Sequence, residues 1–156
     1  FKFVLPGYNV RPLEMSGAIG IEQLKKLPSL IFQRQKNAEL FNKLFCKNPY
    51  IDIQKEIGTS SWFGFSIVLN ERSKISRDTI VKLLADASIE CRPIVTGNFL
   101  KNHKVLEYFD YEVCGDVINA DYIDKNGFFV GNHHTDLADQ ILYLKNVLDS
   151  CLKIKN

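Results

Sequence analysis

The decapeptide SSWFGFSIVL, residues 60–69, constrains the fold more than any other stretch of this chain. Phe63, Phe65, Ile67 and Leu69 alternate with Trp62, Gly64, Ser66 and Val68, and a period of two puts the first set on one face of a β-strand. A strand so apolar must bury that face against a second layer. The end of the chain supplies one, because TDLADQILYLKNVLDSCLKIK carries Leu137, Ile141, Leu144, Leu148 and Cys151 along one side of a helix, with Thr135 or Asp136 as its cap. At 156 residues the chain is long enough for one domain built on such a helix-on-sheet core without disulfides or metal.

The remaining elements fit between these two. Met15, Ala18, Ile21 and Leu24 recur every three residues and predict a helix over 13–26, begun by Pro12 and ended by Pro28. A second helix follows, capped by Ser29 and carrying Ile31, Ala38, Phe41 and Phe45 on one stripe, so the two are expected to pack as a bent pair. Ser76 caps a third, with Ile80, Leu83, Leu84 and Ala87 on its apolar side. IECRPIV reads as a strand that Pro93 confines to a sheet edge or leads out of the sheet, since proline cannot donate to a ladder. A TGN turn, two short helices in HKVLEYFDY and VINADYIDKNG, and a buried FFVGN strand complete an α/β arrangement of two layers.

Composition removes several function classes. A net charge of +2 with 24% charged residues lacks the concentrated basic face of a nucleic-acid binder, and the clusters LKKLP and RQK read as solvated helix faces. Cys46, Cys91, Cys114 and Cys151 form no C-x-x-C pair, which predicts reduced, mostly buried thiols in a cytosolic protein. No apolar run of membrane-spanning length and no signal-peptide pattern occur, which argues against membrane insertion and secretion. G-x-G-x-x-G, Walker, H-E-x-x-H and G-x-S-x-G motifs are absent.

Three polar groups then stand out. His133 and His134 are adjacent in GNHHTD; extended neighbours face opposite ways, so they read as loop histidines near a helix N-terminus, and His103 as a surface residue. Glu90 and Arg92 flank Cys91 and share one strand face, either as a solvent-side ion pair or as the wall of a pocket. Gly64 implies a close approach to its backbone, and Asn98 supplies turn chemistry. Finally, Tyr8, Asn9 and Arg11 form a polar loop before a helix, fitted either to hold a phosphate or carboxylate or to cap and pack that loop.

GYNVRPLEMSGAIGIEQLKKLP, SSWFGFSIVL, IECRPIVTGNFLKN and NADYIDKNGFFVGNH together resemble the later half of the DegT/DnrJ/EryC1/StrS family, the pyridoxal-phosphate sugar aminotransferases and dehydratases. The likeness runs through essentially the whole chain and leans toward the 3-dehydratase branch. The resemblance implies a two-layer small domain of a fold type I enzyme, with a small, mostly antiparallel sheet packed with helices. It implies that residues 1–156 form the carboxy-terminal domain with its interface loop, while the large cofactor-binding domain and the catalytic base lie elsewhere. None of His103, His133 and His134 matches that base.

The same resemblance implies pyridoxal or pyridoxamine 5'-phosphate as cofactor, glutamate as amino donor, a homodimer, and removal of the C3 hydroxyl of GDP-4-keto-6-deoxymannose in colitose and O-antigen synthesis. It implies that Asn9 supports the cofactor phosphate, that Arg11 contacts the nucleotide sugar, that Phe1 approaches the sugar across the dimer interface, and that Glu90 lies on the substrate side. A 4-aminotransferase resembling perosamine synthase, or a non-catalytic binding or dimerisation module, are the alternatives.

Overall fold

The computed structural model describes residues 4–8 and 13–153. Its centre is a four-stranded antiparallel sheet of order β1-β2-β4-β3, made of β1 (Ile51–Ile53), β2 (Gly64–Leu69), β3 (Cys91–Pro93) and β4 (Gly127–Gly131). The period of two holds along β2, where Phe65, Ile67 and Leu69 are buried and the residues between them are not. Phe65 pairs with Val130 and Ile67 with Phe128, so the central strands present one continuous apolar face. β3 is an edge strand that ends at Pro93, as a missing donor requires. β1 has no counterpart in the sequence pattern, because IDI is too short to display a period.

Three helices cover the apolar face: α1 (Glu14–Phe45), α2 (Arg77–Asp86) and α5 (Ala138–Lys153). Ala38, Phe41 and Phe45 of α1, Ile80 and Leu84 of α2, and Ile141, Leu144 and Leu148 of α5 meet the strands in one core. Phe41 stacks between Phe65 and Phe45, with ring centroids 4.4 and 4.5 Å away. Each such buried side chain contributes about 1.5–3 kcal/mol, so this layer dominates stability. Ser76 caps α2 by accepting from the Thr79 amide, and the Asp136 carboxylate, rather than Thr135, receives the Ala138 amide at the start of α5.

Two local expectations give way to packing. Pro28 does not end a helix: α1 runs unbroken from Glu14 to Phe45, in place of the bent pair. Proline removes one intrahelical hydrogen bond, but Leu24, Ile31, Ala38 and Phe45 keep a seven-residue spacing across it, so the helix phase is the same on both sides. Ser29 accordingly caps nothing, and its hydroxyl donates back to the Lys26 carbonyl. Phe63 also leaves its expected face. Trp62, at φ 51°, turns the chain just before β2, so Trp62 is buried while Phe63 is 76% exposed.

Gly64 meets the expectation of a close approach. A Cβ there would stand 2.7 Å from a Phe129 ring carbon and 2.8 Å from the Val130 carbonyl, so the approaching group is β4 itself. The thiols depart from theirs, since Cys46 and Cys114 are exposed, in a helix C-cap and in a loop; only Cys151 is buried and Cys91 half-buried. All four are free. Among the described residues no helix is long and apolar enough to cross a membrane.

The second face of the sheet is only partly covered. Beyond the one-turn α3 (His103–Leu106), α4 (Ile118–Asn126) packs on one end, where the Tyr122 hydroxyl donates to the Leu69 carbonyl. The other end, which carries Phe63, Phe129 and Arg92, has no helix packed on it among the described residues.

Candidate active-site cleft

That end is the wall of an open cleft of about 530 Å³, bounded by Arg34, Phe63, Glu90, Arg92, Phe129 and the segment Gly131–His134. Its backing is a network of two buried amides. Asn132, the first residue after β4, donates to the carbonyls of Arg34 (3.0 Å) and Trp62 (2.9 Å), and its Oδ1 accepts from Asn37 Nδ2 at 3.1 Å. Asn37 Nδ2 also reaches the carbonyls of His133 (3.0 Å) and Thr135 (2.8 Å), while its Oδ1 accepts from Gln33 and from the Leu137 amide. Helix α1, the start of β2 and the β4–α5 connection are thereby pinned together. A buried amide left unpaired costs about 1–3 kcal/mol, and here both are fully engaged.

Arg34 extends the same network toward the cleft. Its Nη2 donates to the carbonyls of Phe63 (2.9 Å) and Asn132 (3.2 Å), and its guanidinium carbon lies 5.8 Å from the Phe63 ring centroid, within cation–π range. Its Nε is buried and has no acceptor among the described residues. RQK is therefore only partly a solvated face: Lys36 is exposed, whereas Arg34 is a half-buried fixed charge.

Also lining the cleft, Arg92 Nε and Nη2 donate to Glu90 Oε1 at 3.1 and 3.0 Å. Both readings of this pair hold, since it is an ion pair and it lines the cleft. Cys91, between them in sequence, points the other way and packs against the core; its thiol is pushed up to about 11 by burial and then by the Glu90 charge, so it stays protonated and unreactive at neutral pH. The segments that carry the cleft residues are held in strained backbone: Trp62, Ser88 and Val95, none of them glycine, have φ of 51°, 61° and 47°. Such positions cost about 1–3 kcal/mol each and collect at functional sites.

His133 and His134 correct an expectation. Instead of facing opposite ways, their rings lie 4.1 Å apart at 31° on the same side, because the backbone after Asn132 leaves the extended conformation once its carbonyls are taken up by Asn37. They form no metal site, and no group of three His, Cys, Asp or Glu among the described residues is arranged to hold one. His103 is exposed, as expected. Asn98 does more than turn the chain. Buried, it accepts from the Leu100 amide and donates to Asp121, whose carboxyl is held below its ordinary range by Asn98 and then Lys101.

Of the site residues expected from the sequence, Glu90 is in the cleft, joined there by Arg92, His133 and His134. Phe1, Asn9 and Arg11 lie outside the described residues. Arg34, Asn37, Asn132, Phe63 and Phe129 belong to the cleft or its backing without any motif that marks them as site residues. Asn37 does leave a signal, being an amide on the same stripe as Ala38, Phe41 and Phe45, where only a satisfied polar group is tolerated.

The model of the DegT/DnrJ/EryC1/StrS aminotransferase family matches residues 1–140. The chain belongs to this family. Among family members, the GDP-4-keto-6-deoxy-D-mannose 3-dehydratase of Yersinia pseudotuberculosis is 67% identical over 148 residues, which are 95% of this chain and 38% of that protein. The lipopolysaccharide biosynthesis protein RfbH of Salmonella typhimurium is 31% identical over 80% of this chain and 29% of its own length. A solved structure of the Escherichia coli GDP-4-keto-6-deoxy-D-mannose 3-dehydratase with bound hydrated PLP, 64% identical, matches with a TM-score of 0.86 over 95% of this chain and 38% of that one. Other solved structures of a GDP-4-keto-6-deoxymannose 3-dehydratase hold GDP-perosamine or a PLP–glutamate geminal diamine. The chain thus spans under two fifths of the length of the dehydratases it matches, and it has the aminotransferase-type α/β fold expected of the DegT/DnrJ/EryC1/StrS family.

Proposed function

We propose that this chain is the carboxy-terminal, substrate-side part of a pyridoxal-phosphate-dependent nucleotide-sugar 3-dehydratase that removes the C3 hydroxyl of GDP-4-keto-6-deoxymannose. The observation that carries this reading is the 67% identity to a 3-dehydratase across 95% of the chain, cleft included. In such an enzyme the bound cofactor supplies an electron sink that lets a hydroxyl leave the sugar. On this reading the cofactor ring and the base belong to the part of such an enzyme that this chain, 38% of a dehydratase's length, does not span.

What the chain's own residues contribute is binding and orientation. Glu90 accepts a hydroxyl of the sugar, Arg34 makes the cleft favourable to the anionic end of a nucleotide sugar, and the exposed Phe63 with the half-buried Phe129 gives its ring an apolar surface. Asn9 supports the cofactor phosphate, Arg11 contacts the nucleotide sugar, and Phe1 approaches the sugar from across a homodimer interface. A partner is supported by the first turns of α1, where Met15, Ile19, Ile21 and Leu24 are 57–71% exposed, an apolar surface that a second copy would cover. Glutamate restores the amine form of the cofactor, and the reaction belongs to cytoplasmic deoxysugar synthesis for lipopolysaccharide O-antigen.

The full-length gene product, supplied with pyridoxal phosphate, glutamate and GDP-4-keto-6-deoxymannose, tests the proposal by mass spectrometry of the sugar. Loss of the C3 oxygen is the expected result. Retention of that oxygen with an amine gained at C4 would make the protein an aminotransferase, and no turnover with nucleotide-sugar binding intact would favour a binding module.

A further inference from the structure

Resting on the reading that Glu90 faces the sugar, we propose that Arg92 is a positioning residue for it: the guanidinium holds one carboxylate oxygen so that the other accepts a sugar hydroxyl. Both Arg92 donors, Nε and Nη2, converge on Oε1, and Oε2 has no hydrogen bond among the described residues. A carboxylate held at one oxygen is an acceptor with its direction already chosen, which spares the ligand the cost of ordering it. Arg92 is itself fixed from below, because β3 pairs it with Phe129 in the floor of the same cleft. Arg92 lies in β3 and Glu90 immediately precedes that strand, and both side chains reach the same cleft, where their hydrogen bonds fix the spacing.

A role in stability alone does not account for this pair. The side chains of Arg92 and Glu90 are 57% and 78% exposed, and ion pairs so exposed contribute little to folding. Geometry distinguishes the two possibilities. Lysine would keep the charge at position 92 but lose the planar fork that brings two donors to one oxygen.

The test uses the full-length gene product loaded with pyridoxal phosphate, with GDP-perosamine as the probe, titrated by calorimetry. Glu90→Gln and Arg92→Ala should each weaken binding about ten-fold, and the double variant should be no weaker than Glu90→Gln alone, since Arg92 acts through Glu90. Arg92→Lys should recover only part of the loss, and all variants should melt within about 2 °C of the parent. Parent-like affinity in Arg92→Ala beside a weakened Glu90→Gln would overturn the positioning role and leave the proposed function standing. Additive losses would overturn it too, by making Arg92 a direct ligand, and so would a melting point lowered by more than about 5 °C, which marks a structural role. Parent-like affinity in Glu90→Gln would overturn the substrate-side reading of Glu90 and, with it, this inference.

Discussion

Two polar pairs, one behind the cleft and one lining it, are built on opposite principles. Asn37 and Asn132 are neutral, buried and saturated with partners, and they join segments 95 residues apart. Glu90 and Arg92 are charged, exposed and two residues apart. The buried pair fixes where the cleft walls stand, because each of its bonds would leave an unpaired group in a low dielectric if broken. The exposed pair adds little to folding but presents charge and a free acceptor to whatever enters. Shape and chemistry in this cleft therefore come from different residues, and they should fail separately.

The sharpest way to break the comparison is Asn132→Ala, which removes the donor to the Trp62 and Arg34 carbonyls and one link from Asn37 to the β4–α5 connection. Urea unfolding should show a loss of about 2–4 kcal/mol, and parent-like stability would mean that the network is not what pins the walls. Gly64→Ala should come next. Its methyl must displace the Phe129 ring and meets the Val130 carbonyl, so we expect a cost of about 1–3 kcal/mol and a shifted Phe129 ring resonance by NMR.

At the exposed pair, Arg92→Ala should change stability by less than about 1 kcal/mol in the same urea experiment, although it alters binding. The smallest effect concerns Cys91. Its raised pKa means that thiolate accumulates only as pH approaches about 11, so iodoacetamide followed by mass spectrometry should label the exposed Cys46 and Cys114 well before Cys91 at pH 8. Early labelling of Cys91 would show that its packing against the core opens.

Much of the architecture is legible in the order of the amino acids. The alternation in residues 64–69, the Ser76 cap, the edge position of Pro93 and the amphipathic run to Lys153 are decided within a few residues, and the fold keeps all four. Glu90 and Arg92 are legible too, because a spacing of two on a strand fixes a shared face. Arg34 is not. On a helix a charged residue near lysines is ordinarily solvated, and only the arrival of Phe63 and Asn132 beside it makes it part of a wall.

By itself the sequence determined β2, α2, β3, β4 and α5 and their order, the apolar faces that must meet, and the motifs that resemble the sugar aminotransferase and dehydratase family. Only the tertiary structure decided that α1 passes through Pro28, that Trp62 and Phe63 exchange burial, that the two histidine rings lie together, and that Asn37 finds Asn132. The physical reason is range. Periodicity and capping depend on neighbours a few residues away, whereas the cleft is closed by hydrogen bonds between residues that approach one another only once the sheet and its helices have packed.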